Sequence, residues 1–158
     1  MLLIGSKNTG SQTVLANGLI NIGNVYRRYC KRTRQGLPTF ADTTTGITLN
    51  GAGIYHITAT FVGAGTVAGD LTVQMLDGGE VVAGALSTET ITTATTELRT
   101  LVIDYYVKID EVCNLGTWGV SSKTISFRNA GVGATFSNVV VNIDKVVWEY
   151  GKKKYDER

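Results

Sequence analysis

The chain has 158 residues, 43% of them apolar and 18% charged, with 19 glycines, one proline and a net charge of +2. That is the length of one domain with a sizeable core. A charge so small gives no reason to assume a nucleic-acid partner, and no apolar run approaches membrane-spanning length.

Charge is unevenly placed. Residues 1–41 carry six bases (Lys7, Arg27, Arg28, Lys31, Arg32, Arg34) and no acid, whereas residues 42–150 carry eleven acids against five bases. A basic end on an acidic body predicts that this end meets an acidic surface. Met1-Leu2-Leu3-Ile4-Gly5 is too short for the apolar part of a signal peptide and has no basic stretch before it, so synthesis and use without a signal peptide are expected. Cys30 and Cys113 form no disulfide framework, and two partly buried thiols are the expectation.

In chain order, residues 1–11 read as an arm, flexible or bound to a partner. Thr13-Val14-Leu15 and Leu19-Ile20-Asn21-Ile22 read as short strands around the turn pair Asn17-Gly18. After the Gly23-Asn24 break, Val25 to Arg34 reads as a basic strand. Neither of its faces is cleanly apolar, which predicts a sheet edge protected by charge. Gln35 to Thr45 is loop, and Ile47-Thr48-Leu49 is a short strand.

The organising stretch follows. From Gly53 onward, Tyr55, Ile57, Ala59 and Phe61 alternate with His56, Thr58, Thr60 and Val62. Period-two alternation in β-branched and aromatic residues predicts one long strand with a buried face. Gly63-Ala64-Gly65 and Ala68-Gly69 are read as enclosing a mobile tip, and Leu71 to Leu86 as a hairpin about Asp77-Gly78-Gly79. Ser87 to Thr96 reads as a short strand plus loop. A second long strand runs from Arg99 to Ile109, with Leu101, Ile103, Tyr105, Val107 and Ile109 on one face. Glu111 to Ser122 is a connection, and Lys123 to Arg128 is a strand with Ile125 and Phe127 inward. Asn129 to Ala134 is a turn. The last strand, Thr135 to Tyr150, is apolar on both faces, so both faces are expected to be covered. Residues 151–158 read as a charged tail after a domain spanning 12–150.

This pattern of roughly eight to ten short strands without a helix predicts an all-β, antiparallel two-sheet jelly-roll sandwich. Tyr55, Ile57, Phe61, Leu101, Ile103, Val141 and Ile143 are the expected core.

No catalytic set stands out. The single histidine, His56, has no Gly-x-Ser-x-Gly elbow to serve. The acids are scattered, without a calcium-loop pattern, and no Cys-x-x-Cys pair exists. Asp77 and Glu80 flank a hairpin turn and read as solvated. The Gly63-Ala64-Gly65 and Gly131-Val132-Gly133 runs lack the lysine and the helix of a phosphate loop. Tyr26 and Tyr29 interleave the basic residues and could stack bases, but an acidic body repels a nucleic-acid backbone. The expectation is a chain with no enzymatic activity, metal or cofactor.

Gly53-Ile54-Tyr55-His56-Ile57 resembles the Gly-x-Tyr strand of tumour necrosis factor and C1q-like jelly rolls. Asn138-Val139-Val140-Val141-Asn142-Ile143 resembles the apolar final strand of the same domains. Gly23 to Arg28 and the hairpin Ala68 to Gly79 are similar to bacteriophage head-fibre and capsid-decoration versions of this fold. No collagen-like Gly-X-Y stalk is present. The resemblance implies a structural virion protein assembled in the host cytoplasm as a homotrimer, docked to capsid or other virion proteins. In the resembling domains the face opposite the core packs against neighbouring subunits. That places His56, Thr58, Thr60, Tyr106 and Val140 at a trimer interface, with His56 near the three-fold axis and charging of three imidazoles weakening the trimer in acid. The charge split assigns attachment to the particle to Arg27, Arg28, Lys31 and Arg32. The alternative is a receptor-binding module of a fibre that holds host surface glycan on its loops, with Trp118 as its aromatic candidate.

Overall fold

A computed structural model describes residues 2–33, 36–114, 117–120 and 122–147, and the side chains of 2–33, 36–111 and 122–146. The described residues form thirteen strands and no helix. In order these are β1 (Leu2–Asn8), β2 (Gln12–Val14), β3 (Asn24–Arg28), β4 (Phe40–Asp42), β5 (Gly46–Leu49), β6 (Gly53–Gly65), β7 (Gly69–Asp77), β8 (Glu80–Ile91), β9 (Arg99–Ile109), β10 (Glu111–Asn114), β11 (Thr117–Val120), β12 (Lys123–Asn129) and β13 (Ala134–Val147).

Two antiparallel sheets face each other. The first runs β3-β1-β13-β6-β9, with β2 also paired to the start of β13, and the second runs β4-β5-β12-β7-β8. The β10-β11 pair is a separate ribbon. The fold is therefore the all-β, two-sheet jelly-roll sandwich that the alternation predicts.

The organising strand is β6, paired along its length with β13 on one side and β9 on the other. Its inward residues Tyr55, Ile57, Ala59 and Phe61 are fully buried. Leu101 and Ile103 of β9 and Val141 and Ile143 of β13 join them, so all seven expected core residues are buried. The second sheet contributes Leu71, Val73, Met75, Ile125 and Phe127. Phe61 meets Phe127 edge-on across the sandwich at 5.2 Å between ring centroids, and Phe136 at 6.2 Å. Such edge-to-face pairs stabilise by about 0.5–1.5 kcal/mol beyond the area they bury.

The β7-β8 hairpin turns at Gly78 and Gly79, whose φ angles of 57° and 86° are both in the left-handed region. Two consecutive positive φ values match the right-handed twist of the flanking strands, which is why glycine fills both positions.

Several expectations on secondary structure need correction. The segment read as an arm is β1, hydrogen-bonded to β13 and to β3, with Leu3 and Ile4 fully buried. Gly63 to Gly65, read as one border of a tip, are the buried end of β6, and the enclosed Thr66 and Val67 are exposed outside any strand. The basic strand ends at Arg28, well short of Arg34. The connection after Glu111 contains the β10-β11 ribbon. Cys30 is exposed and unpaired. Tyr29, Lys31 and Arg32 are also exposed. Lys145, on the inward face of β13, is buried with its Nζ 5.1 Å from the centre of the Tyr55 ring. The ring's negative face offers that cation partial compensation. The Tyr55 hydroxyl donates to the Gly51 carbonyl at 2.5 Å, and burial pushes its ionisation well above the ordinary phenol value. The side chain of Trp118, the tail 151–158 and Arg34 lie outside the described residues.

Candidate functional site: an outer sheet face and a basic edge

The face of the first sheet that points away from the core is built from the second set of alternating residues. Strand register sets it out in rungs. Thr60 of β6 lies between Val140 of β13 and Val102 of β9; Thr58 lies between Asn142 and Asp104; His56 lies between Asp144 and Tyr106. The five residues expected at a subunit interface, His56, Thr58, Thr60, Tyr106 and Val140, are thus brought onto one continuous surface. Val102, Tyr106 and Val146 on this face are 50%, 60% and 54% exposed.

The His56 ring is stacked on Tyr106, nearly parallel at a centroid separation of 4.4 Å, and its Nε2 is hydrogen-bonded to Asp104 Oδ1. The expectation of bare repulsion between protonated imidazoles has to accommodate this partner. That bond lies within the chain, and Asp144 faces His56 from the neighbouring strand.

At the other end of the same sheet, a bulge sets β3 against β1. Val25 pairs with Ser6 and Arg27 with Gly5, so one extra residue, Tyr26, is inserted. Bulges re-aim side chains. Tyr26 lies over Gly5, where a Cβ would meet its ring carbons at 2.6–2.7 Å, and its hydroxyl donates to Asn142 Oδ1 at 2.5 Å. Lys7 Nζ sits 5.2 Å from the centre of the same ring. Tyr26 therefore extends the outer face to the sheet edge.

Beyond the bulge, Arg28 reaches in the other direction, towards β4. Its guanidinium lies 5.8 Å from the centre of the Phe40 ring, and Nη2 is 3.3 Å from Asp42 Oδ1. Arg32 Nη1 donates to the Gly36 carbonyl at 2.6 Å, and the backbone of Arg32 bridges to Pro38. Arg28, Cys30, Lys31, Arg32, Pro38, Thr39 and Phe40 line a cleft of about 400 Å³. Of the four residues assigned to attachment, three share this cleft; Arg27, opposite Gly5, does not line it. No local sequence pattern announces the cleft. Its walls come from Pro38, Thr39 and Phe40, placed against the basic stretch by the bond from Thr39 N to the Lys31 carbonyl. Asp77 is held by Lys123, Nζ to Oδ2 3.4 Å, which makes it a poor start for a calcium site.

No protein-family model matches this chain, and no curated protein matches it by sequence. Solved structures do match by fold. A tumour necrosis factor protein, Eiger, from S. frugiperda superposes with a TM-score of 0.59 at 9% identity, covering 94% of this chain and 96% of that one. The PRD1 vertex protein superposes with a TM-score of 0.48 at 21% identity, covering 90% and 93%. A family 35 carbohydrate-binding module from Cellvibrio japonicus gives 0.41 at 12% identity, covering 92% and 97%. The last two are looser likenesses from which no role follows. Strand order, core and the first superposition agree that this chain has the jelly-roll fold of tumour necrosis factor-like domains.

Proposed function

We propose that this chain is a non-enzymatic structural protein of a bacteriophage virion, a homotrimer that decorates the capsid or forms a head fibre. The observation that carries self-association is the outer face of the β1-β13-β6-β9 sheet, where Val102, Tyr106 and Val146 stand at least half exposed beside Thr58, Thr60 and Val140. Burial of apolar surface stabilises by about 25 cal/mol per Å², so covering such a face with two further copies favours association. The virion setting is supported by the resemblance of Gly23 to Arg28 and of the Ala68 to Gly79 hairpin to phage decoration proteins. Attachment is assigned to the basic edge, Arg27, Arg28, Lys31 and Arg32, against an acidic surface of the particle.

Sedimentation at micromolar concentration tests the assembly: a trimer is expected, and a stable monomer overturns it. Reversal of Arg27, Arg28, Lys31 and Arg32 to Glu tests attachment. Loss of incorporation into particles by a variant that remains folded is expected; normal incorporation refutes the assignment.

A further inference from the structure

The cleft at the basic edge has more chemistry than a charged patch needs. Its volume of about 400 Å³ lies within the range of ligand pockets. Phe40 and Pro38 give it apolar walls, and Arg28, Lys31 and Arg32 give it a cationic rim. Both arginines are already positioned, Arg28 between Asp42 and the Phe40 ring and Arg32 by the Gly36 carbonyl. Each guanidinium has five N–H donors, so these bonds leave donors over. Holding such forks in place beforehand lowers the entropy cost of binding.

Thr39 supplies the independent observation. It lines the cleft, is 3% exposed, and its Oγ1 finds no hydrogen-bond partner among the described residues. A buried hydroxyl left unpaired is destabilising. An acceptor bound in the cleft would relieve that cost.

We propose that this cleft binds a carboxylate-bearing, partly apolar peptide segment, with Arg28 and Arg32 on the carboxylate, Thr39 Oγ1 donating after rotation about χ1, and Phe40 and Pro38 against the neighbouring aliphatic side chain. A nucleic-acid backbone fits less well, because it needs an open cationic track and not a short apolar-walled pocket beside Asp42. The proposal rests on the attachment reading for the source of the peptide, an acidic segment of a virion partner, and not for the site itself.

The test is fluorescence anisotropy of a labelled, acetylated peptide of alternating Glu and Val, titrated with the full chain. Saturable binding is expected. Arg28→Gln and Arg32→Gln should each weaken it about tenfold, and the isosteric Thr39→Val about fivefold, as expected for loss of one charge-assisted or one neutral hydrogen bond. Lys108→Gln, on the far edge strand β9, should leave it within about twofold. Glutarate should compete, and inorganic phosphate at the same concentration should compete less. Equal loss in the Lys108 and Arg32 variants would mean diffuse charge attraction and overturn the site. Phosphate competing as well as glutarate, or a single-stranded oligonucleotide binding more tightly than the peptide, overturns the ligand class. If the peptide does not bind while Glu reversal still abolishes incorporation, the cleft proposal falls and the attachment reading stands. If the peptide binds and incorporation is unaffected by the reversal, the cleft stands and attachment falls.

Discussion

The two sheets share one core but have unlike outer faces. On the second sheet hydroxyl pairs and charged residues fill many outward positions, although Val81 and Leu86 of β8 are also about half exposed. Thr48 and Thr124 share a hydroxyl hydrogen bond at 2.9 Å across β5 and β12, and Thr72 and Thr88 share one at 3.0 Å across β7 and β8. Glu80, Glu89 and Thr90 of β8 are exposed beside them. On the first sheet the corresponding surface carries Val140, Val102 and Val146 with a stacked His56-Tyr106 pair. The same period-two grammar thus writes a face laced with hydroxyl pairs on one side and a face with a stacked aromatic pair among valines on the other. What separates them is which residue type fills the outward positions.

Inside, the sheets should be equivalent, and that is the largest effect to measure. Phe61 and Phe127 face each other across the sandwich, both fully buried. Phe61→Ala and Phe127→Ala should each cost about 3–5 kcal/mol. Denaturant unfolding checks this. A large cost on one side only would show that the core does not bind the two sheets as a unit.

Outside, they should differ. Val102→Lys with Tyr106→Lys places two charges on the first sheet's outer face and should dissociate the proposed trimer without unfolding its subunits. Thr72→Lys with Thr88→Lys places the same charges on the second sheet and should leave assembly unchanged, at a stability cost of about 1 kcal/mol from the lost hydroxyl pair and the opposed charges. Sedimentation of the two variants side by side decides it. Equal dissociation, or none, removes the distinction between the faces.

The difference between faces was legible in the sequence where alternation was long. Tyr55 to Phe61 announces β6, and its complement places His56, Thr58 and Thr60 outward. What escaped was non-local. Leu2 to Asn8 looks like an apolar stub followed by glycine and polar residues. It is a central strand because Gly5 leaves room for the Tyr26 ring and Ser6 Oγ donates to the Ile22 carbonyl at 2.9 Å. Both partners are distant in sequence, so no local period shows them. The cleft was missed for the same reason. Arg28 and Arg32 were visible as charge, but Phe40 and Thr39 become their neighbours only when β4 reaches the edge of β3. The strand also ends at Arg28, so strand alternation does not govern where Lys31 points.

A smaller effect concerns the link between the sheets. Glu97, in the turn from β8 to β9, accepts from Thr93 N at 2.9 Å and Thr92 N at 2.7 Å, and pairs with Arg99. The backbone donors, Thr93 first and Thr92 next, hold its carboxyl below the ordinary carboxylate range, with the Thr92 hydroxyl and Arg99 adding to this. A carboxyl whose folded pKa is depressed contributes stability above its unfolded value and loses it as pH falls through the folded one. Wild type should therefore lose a small part of its stability on acidification that Glu97→Gln, already lacking it at neutral pH, does not lose. Thermal unfolding of both from neutral to acidic pH measures the gap. A gap that stays constant shows that Glu97 is not linked to the folding equilibrium.

The smallest effect tests whether the second sheet's outer face is finished by its own hydroxyls. Thr72 and Thr88 are directly opposite in the β7-β8 register, and each hydroxyl has the other as partner. Either one alone could turn to water, so the pair should be coupled only weakly. Cross-strand threonine pairs typically contribute about 0.2–1 kcal/mol. Thr72→Val and Thr88→Val, singly and together, form a cycle whose coupling energy should fall in that range. Valine keeps the branched shape that suits a strand, so the cycle isolates the hydroxyl bond from packing. The double variant also turns part of this face apolar, like its counterpart on the first sheet. If it remains a trimer and does not form larger assemblies, the geometry of the first face, and not its apolar character alone, selects the partner surface. Association of trimers through the altered face would instead show that the hydroxyl pairs keep the two faces distinct.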